Sequence, residues 1–218
     1  MVRRRGAPSF RFPASRQGLI LGTMGTLPKR PIDELRPVAE DLVARLRPAC
    51  ERIEIAGSIR RNRPQVGDIE IVAIPRFDDR PRAAQATLFE PERPPRSERV
   101  SRLWEAVDAL GVAYAKRGPV YRQISWRGVR VDLYTCERGN WGWILFHRTG
   151  PGYLRAKIGS MLVARGFAAV DGWIWDARGL SIDRVETPEE EDVFRLLGIP
   201  PLTPDRRDQL AGPELTPG

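Results

Sequence analysis

The feature that most constrains this chain is a pair of acids one residue apart at the head of a strand, with a glycine–serine pair shortly before them. Arg52-Ile53-Glu54-Ile55-Ala56 alternates as a strand does and runs directly into Gly57-Ser58, where a short helix is expected. Asp68-Ile69-Glu70-Ile71-Val72-Ala73-Ile74 is a second strand, and its period of two puts Asp68 and Glu70 on one face. A third acid comes from a hairpin. Val120 to Trp126 leads through Arg127-Gly128 into Val129 to Tyr134, so Arg130 and Asp132 share one face and Val129, Val131 and Leu133 the other.

Acids at i and i+2 on one strand, joined by a third on a neighbouring strand, repel one another unless a cation sits among them. The arrangement suits one or two divalent metals. In nucleotidyl transfer such metals lower the pKa of an attacking hydroxyl and neutralise a triphosphate with its leaving pyrophosphate. Gly57 lets the backbone approach a phosphate closely, Ser58 offers hydroxyl and amide donors, and Arg61 adds paired hydrogen bonds to phosphate oxygens. Taken singly, an acid-x-acid strand and a Gly-Ser helix start are ordinary surface features. Their order and spacing together point to the chemistry.

Around this centre the chain divides by pattern. Residues 1–28 mix arginine, proline, glycine and serine and read as a basic arm. Asp33 is positioned to cap a helix in which Leu35, Val38, Ala39, Leu42, Val43 and Leu46 recur at helical spacing, with Pro48 near its end. Residues 76–98 read as an extended loop, and a helix is expected from about 101 to 110. Residues 29–136 form the α/β module that carries the acids. Residues 137–207 form a smaller module: Trp141 to Phe146 is apolar, with Trp141 and Trp143 alternating as strand residues do and His147 at the strand's end. A turn at Thr149 to Gly152 follows, then a helix to Ala164 and short strands around Trp173 and Trp175. Thr187, Pro188 and Glu190 look like the cap, first residue and capping-box partner of a last helix. Residues 208–218 read as a tail.

Composition narrows the partners. The formal charge is +8, from 36 basic and 28 acidic residues, most of the basic ones arginine. A phosphate backbone suits such a surface, although arginine enrichment also has purely compositional sources. Cys50 and Cys136 have neither metal-ligand spacing nor disulfide density, so a reducing, cytoplasmic compartment is the default. The single histidine, His147, excludes a histidine-rich zinc site. No stretch approaches the roughly 18 apolar residues of a membrane helix.

Gly57-Ser58-Ile59-Arg60-Arg61 with Gly67-Asp68-Ile69-Glu70 resembles the signature of the DNA polymerase beta superfamily of nucleotidyltransferases, and within it the family X DNA polymerases. Arg130-Val131-Asp132 is similar to that family's third metal-ligand strand, and Thr149-Gly150 with the helix to Gly166-Phe167 and the Glu190 to Gly198 segment resembles its thumb. The resemblance covers roughly residues 30–207. It implies an α+β fold, a mixed sheet flanked by helices followed by a small α/β thumb module, in a palm-and-thumb form without the family's lyase and fingers domains.

The resemblance also implies the site. Asp68 and Glu70 would bind both metals, Mg2+ or alternatively Mn2+. Asp132 would bind the catalytic one, with Arg130 orienting it. Ser58 and Arg61 would hold the β and γ phosphates beside Gly57 and Gly67. His147, Arg148, Thr149 and Gly150 would lie along the sugar and base, with Arg155 near the base edge. This chain departs from the family pattern in having Glu70 for an aspartate, His147-Arg148 for an aromatic pair, Arg155 for an asparagine and Gly159 for an arginine.

The implied reaction adds deoxynucleotides from dNTPs to the 3′ hydroxyl of primer–template or gapped DNA, in a monomer acting in a bacterial or phage-infected cell. Two readings stand beside it: a template-independent transferase acting on a protein, RNA or small molecule, and a catalytically silent nucleic-acid-binding module. Gln85-Ala86-Thr87-Leu88-Phe89 resembles the linear motif by which bacterial replication proteins dock on the sliding clamp. The six tryptophans are expected mainly to be core, with stacking on bases as the alternative.

Overall fold

The computed structural model describes residues 28–81, 97–179 and 182–211. Strand β1 (Arg30–Pro31) leads into helix α1 (Ile32–Leu46), whose Leu35, Ala39, Leu42, Val43 and Leu46 are buried along one stripe. Asp33 is not the cap. Pro31 occupies that position without a side-chain bond, and Asp33 lies inside the first turn, where a negative charge still favours the helix start. Strand β2 (Cys50–Ile55) runs into the single turn α2 (Gly57–Arg60), then β3 (Gln65–Val66), which pairs with β1, and β4 (Ile69–Pro75).

The stretch 76–98 is not wholly a loop. Its ends pair as β5 (Phe77–Pro81) and β6 (Ser97–Ser101), an antiparallel ribbon with charges on both faces and no apolar alternation to reveal it. The Gln85–Phe89 motif lies outside the described residues. Helix α3 (Arg102–Ala109) follows, its Ser101 cap accepting from the Trp104 amide at 3.4 Å. Strand β7 (Ala113–Arg117), which the sequence reading missed, precedes the expected hairpin of β8 (Tyr121–Trp126) and β9 (Val129–Thr135). Arg127 and Gly128 between them have φ of 48° and 73°, as a two-residue primed turn requires.

These strands form one mixed sheet in the order β2-β4-β9-β8-β7, with β4 and β9 parallel and every other pair antiparallel. Its two faces are covered differently. Ile69, Ile71 and Ala73 of β4 and Val129, Val131 and Leu133 of β9 join residues of α1 and α3 in the main core. Val72 and Ile74, on the opposite face, meet Ala56, Trp141 and Leu145.

Trp141 begins helix α4 (Trp141–Thr149), which corrects the strand expected there. The helix is apolar on two sides, since Trp141 and Leu145 face the sheet while Trp143 and Phe146 enter a second core. Such a run carries no one-sided stripe and reads as a strand as easily as a helix. Gly142 lets α4 approach the following segment closely, its amide donating to the Thr187 carbonyl at 2.7 Å, and a Cβ there would collide with the Glu189 backbone.

Helix α5 (Arg155–Ala164) and the antiparallel strands β10 (Phe167–Val170), β11 (Trp173–Asp176) and β12 (Asp183–Val185) complete this second unit with helix α6 (Glu190–Leu197). Glu189, with Asp192 as its reciprocal partner, caps α6 in place of the expected Thr187 and Glu190 pair. The end is packed further than expected. A 3-10 run over Pro204–Ala211 buries Arg207 and Leu210, so the predicted tail is ordered to residue 211. Among the described residues no helix is long and apolar enough to cross a membrane.

Candidate active site

Because β4 and β9 are parallel, their N-terminal ends lie side by side, and Glu70 and Asp132 are direct register partners. Both lie on the face that α4 covers further along the strands, in the part it leaves open. Asp68 immediately precedes β4 and is ion-paired with Arg130, whose Nε is also 3.9 Å from Oδ2 of Asp132. Asp132 itself is buried. Its Oδ1 accepts from the Tyr121 hydroxyl at 3.0 Å and from Gln123 Nε2 at 2.7 Å. Burial and the Asp132 charge push the Tyr121 phenol up, so it stays a donor.

Glu70 is pushed up to about 7, first by burial and then by the charges of Asp68 and Asp132, with Arg148 and Arg155 pulling the other way. Its carboxylate rests against Gly57, which has φ of 62°. A Cβ at that position would collide with Oε2, so the glycine makes room for the longer acid.

The expected three-carboxylate metal group is not assembled as such. Among the described residues no three of His, Cys, Asp and Glu are placed together to hold a metal ion. Arg130 occupies the space between Asp68 and Asp132, while Glu70 turns toward Gly57. The chemistry of the donor set nonetheless fits a cation. Glu70 feels the charges of Asp68 and Asp132, and the Arg130 guanidinium already pairs with Asp68 as a cation would.

Two cavities meet at Asp68 and Glu70. One, of about 790 Å³, is lined by Ser58, Arg61, Gly67, Asp68, Glu70, Gly150 and Arg155. The other, of about 1670 Å³, runs past Asp68, Glu70, Tyr121, Gln123, Arg130, Asp132, Tyr134, Arg148 and Arg155 to Trp173 and Arg184.

Several residues expected at the nucleotide do other work. Arg61 donates to the Thr149 carbonyl, so it holds the end of α4 as well as lining the smaller cavity. Thr149 is fully buried, its hydroxyl accepting from Arg60 at 2.8 Å. Arg148 lies over the Tyr134 ring at 3.7 Å. His147 sits in the last turn of α4, tilted against Trp143 at 5.2 Å, and lines neither cavity.

Burial, with Arg148 and Arg155 adding to it, pushes His147 down to about 4. Unfolded, an imidazole titrates near 6.5. Between these values only the unfolded chain takes up the proton, so stability present above about pH 6.5 is lost as pH falls toward 4. Urea unfolding should show wild type losing roughly 2–3 kcal/mol more than His147→Phe between pH 7 and 4. Parallel declines would contradict this.

Residues the sequence reading missed include Tyr121, Gln123 and Glu190. The first two were detectable, because Gln123 pairs in register with Asp132 and Tyr121 shares its face. Glu190 was not. It accepts from both Nη atoms of Arg60, at 2.9 and 2.6 Å, across 130 positions of sequence.

No family model matches this chain, and no curated protein does. Among solved structures, polymerase beta of Leishmania infantum in a ternary P/T complex is similar, with a TM-score of 0.58 at 21% identity, over 83% of this chain and 77% of that one. The chain therefore has the polymerase beta-like nucleotidyltransferase fold, an α+β mixed sheet flanked by helices.

Proposed function

We propose that this protein is a metal-dependent DNA nucleotidyltransferase that adds deoxynucleotides from dNTPs to a primer 3′ hydroxyl and releases pyrophosphate, in gap filling or repair. The observation that carries the reading is the register pairing of Glu70 with Asp132 at the open ends of two parallel strands, with Asp68 just before them and, like Glu70, lining both cavities, on a polymerase beta-like fold. The proposed division of labour places the acids and triphosphate cavity in residues 29–136 and the nucleotide-facing wall in residues 137–207.

Asp68, Glu70 and Asp132 would hold the divalent ion, magnesium or manganese, which when bound neutralises phosphate charge and makes the attacking hydroxyl more acidic. In this scheme Ser58, Arg61 and Gly67 receive the β and γ phosphates in the smaller cavity, and Gly150 and Arg155 bound the rest of the nucleotide. Tyr121 and Gln123 fix Oδ1 of Asp132, which leaves Oδ2, 3.9 Å from Arg130 Nε, as the oxygen that would take the hydroxyl proton. The primer oxygen bonds to the α phosphorus as the bond to pyrophosphate breaks. The larger cavity takes the primer–template.

Primer extension on gapped, recessed and single-stranded DNA, with magnesium or manganese, tests this. Templated incorporation with pyrophosphate release is expected. Incorporation that ignores the template or prefers another acceptor would replace it with a template-independent transferase, and binding without incorporation would leave a silent nucleic-acid module.

A sliding clamp is proposed as a partner on the strength of Gln85 to Phe89 alone. Replacing Leu88 and Phe89 with alanine is expected to lower clamp affinity at least roughly tenfold, since these two supply the apolar anchor. Unchanged affinity would eliminate the motif.

A further inference from the structure

The sheet β10-β11-β12 has an inner and an outer face. Phe167, Ile174 and Val185 face inward and pack in or against the second core. Residues paired across antiparallel strands point the same way. The pairings Val170 with Trp173, Ala168 with Trp175 and Trp175 with Arg184 therefore place all five of these residues on the outer face.

Tryptophan is an unusual choice for such a position. Trp104, Trp141 and Trp143 are at most 9% exposed, whereas Trp173 and Trp175, like Trp126, are only half-buried, and Val170, opposite Trp173, is 37% exposed. Arg184 is exposed and lies over both rings, 4.2 Å from the centre of Trp173 and 5.7 Å from that of Trp175. Among the described residues no ion pair or hydrogen bond engages its guanidinium. A guanidinium laid on an indole keeps its N–H edge outward, which suits phosphate oxygens and base edges. The face is also continuous with the site, because Trp173 and Arg184 line the same large cavity as Asp68, Glu70 and Asp132.

From these observations we infer that the outer face of β10-β11-β12 binds single-stranded nucleic acid, stacking bases on Trp173 and Trp175 and engaging the backbone through Arg184. Aromatic planes beside an unpaired cation are the chemistry that recognises a single strand without regard to sequence. Under the proposed function this strand is the unpaired template beyond the reacting centre. The inference itself needs no catalysis.

The test is fluorescence anisotropy of a labelled oligothymidylate with the full chain, without divalent metal or nucleotide, alongside quenching of tryptophan emission. Trp175→Ala and Arg184→Gln are each expected to weaken binding roughly tenfold, and quenching should fall in Trp175→Ala, while Trp175→Phe retains most of the affinity. Trp173 packs against Gly139, so Trp175 and Arg184 are the informative positions should Trp173→Ala misfold. Wild-type affinity and quenching in both variants would overturn the inference. So would a change of oligomeric state with oligonucleotide binding intact, which would make the face a protein contact. A protein inactive in primer extension that still binds through these residues would sink the proposed function and leave this surface standing.

Discussion

Asp132→Ala is expected to abolish incorporation while leaving the protein folded. The Asp132 carboxylate is buried, hydrogen-bonded through one oxygen and aligned in register with Glu70, so the proposed reaction has no substitute for its charge. Stabilising the charge that develops in phosphoryl transfer contributes several kcal/mol, and each 1.4 kcal/mol or so is about tenfold in rate. The loss should reach roughly a thousandfold or more in single-turnover incorporation.

Folding is expected to survive because the released donors retain each other. Gln123 Nε2 already lies 3.2 Å from the Tyr121 hydroxyl, and removing Asp132 takes one repelling charge away from Glu70. A thermal unfolding midpoint close to wild type should therefore accompany the inactive variant. Incorporation at the wild-type rate would remove Asp132 from the chemistry, and a collapsed midpoint would make its role structural.

The layout of this centre was legible because strand alternation states which face a residue takes. Val129, Val131 and Leu133 had to be core if Arg130 and Asp132 were not, and the turn at Arg127-Gly128 fixed their register with β8. Alternation says nothing about which charges neutralise each other. The sequence reading had Arg130 orient Asp132, whereas the structure also pairs it with Asp68, so that it stands between the two acids. The α4 segment escaped for a different reason. A helix wedged between two cores is apolar on opposite sides, and Trp141 and Trp143 then imitate the two-residue period of a strand. His147 followed its helix away from the cavities. The β5–β6 ribbon was hidden because both of its faces are charged.

Glu190→Ala should produce the largest loss of stability, because this carboxylate joins the two units of the chain. It accepts from both Nη atoms of Arg60, which ends the turn begun at Gly57-Ser58, and from Arg207 Nη2 at 3.1 Å in the packed C-terminal run. The Arg207 side chain is 2% exposed and its guanidinium lies against the rings of both Phe146 and Phe194. Removing the acid leaves one guanidinium nearly dry and a second largely so, and breaking such a buried pair from one side costs about 3–5 kcal/mol. Urea unfolding should register that loss, with Glu190→Gln retaining part of the stability through its amide oxygen. The effect should extend to the site, since Arg60 also donates to Thr149, whose carbonyl Arg61 holds at the edge of the smaller cavity. A free Arg60 would let Gly150 drift from Ser58, weakening nucleotide binding more than the chemical step. A rise in the apparent dNTP constant with single-turnover rate nearly preserved is thus the expected kinetic signature. Unfolding unchanged within about 1 kcal/mol would mean that the two guanidinium groups reach water without Glu190.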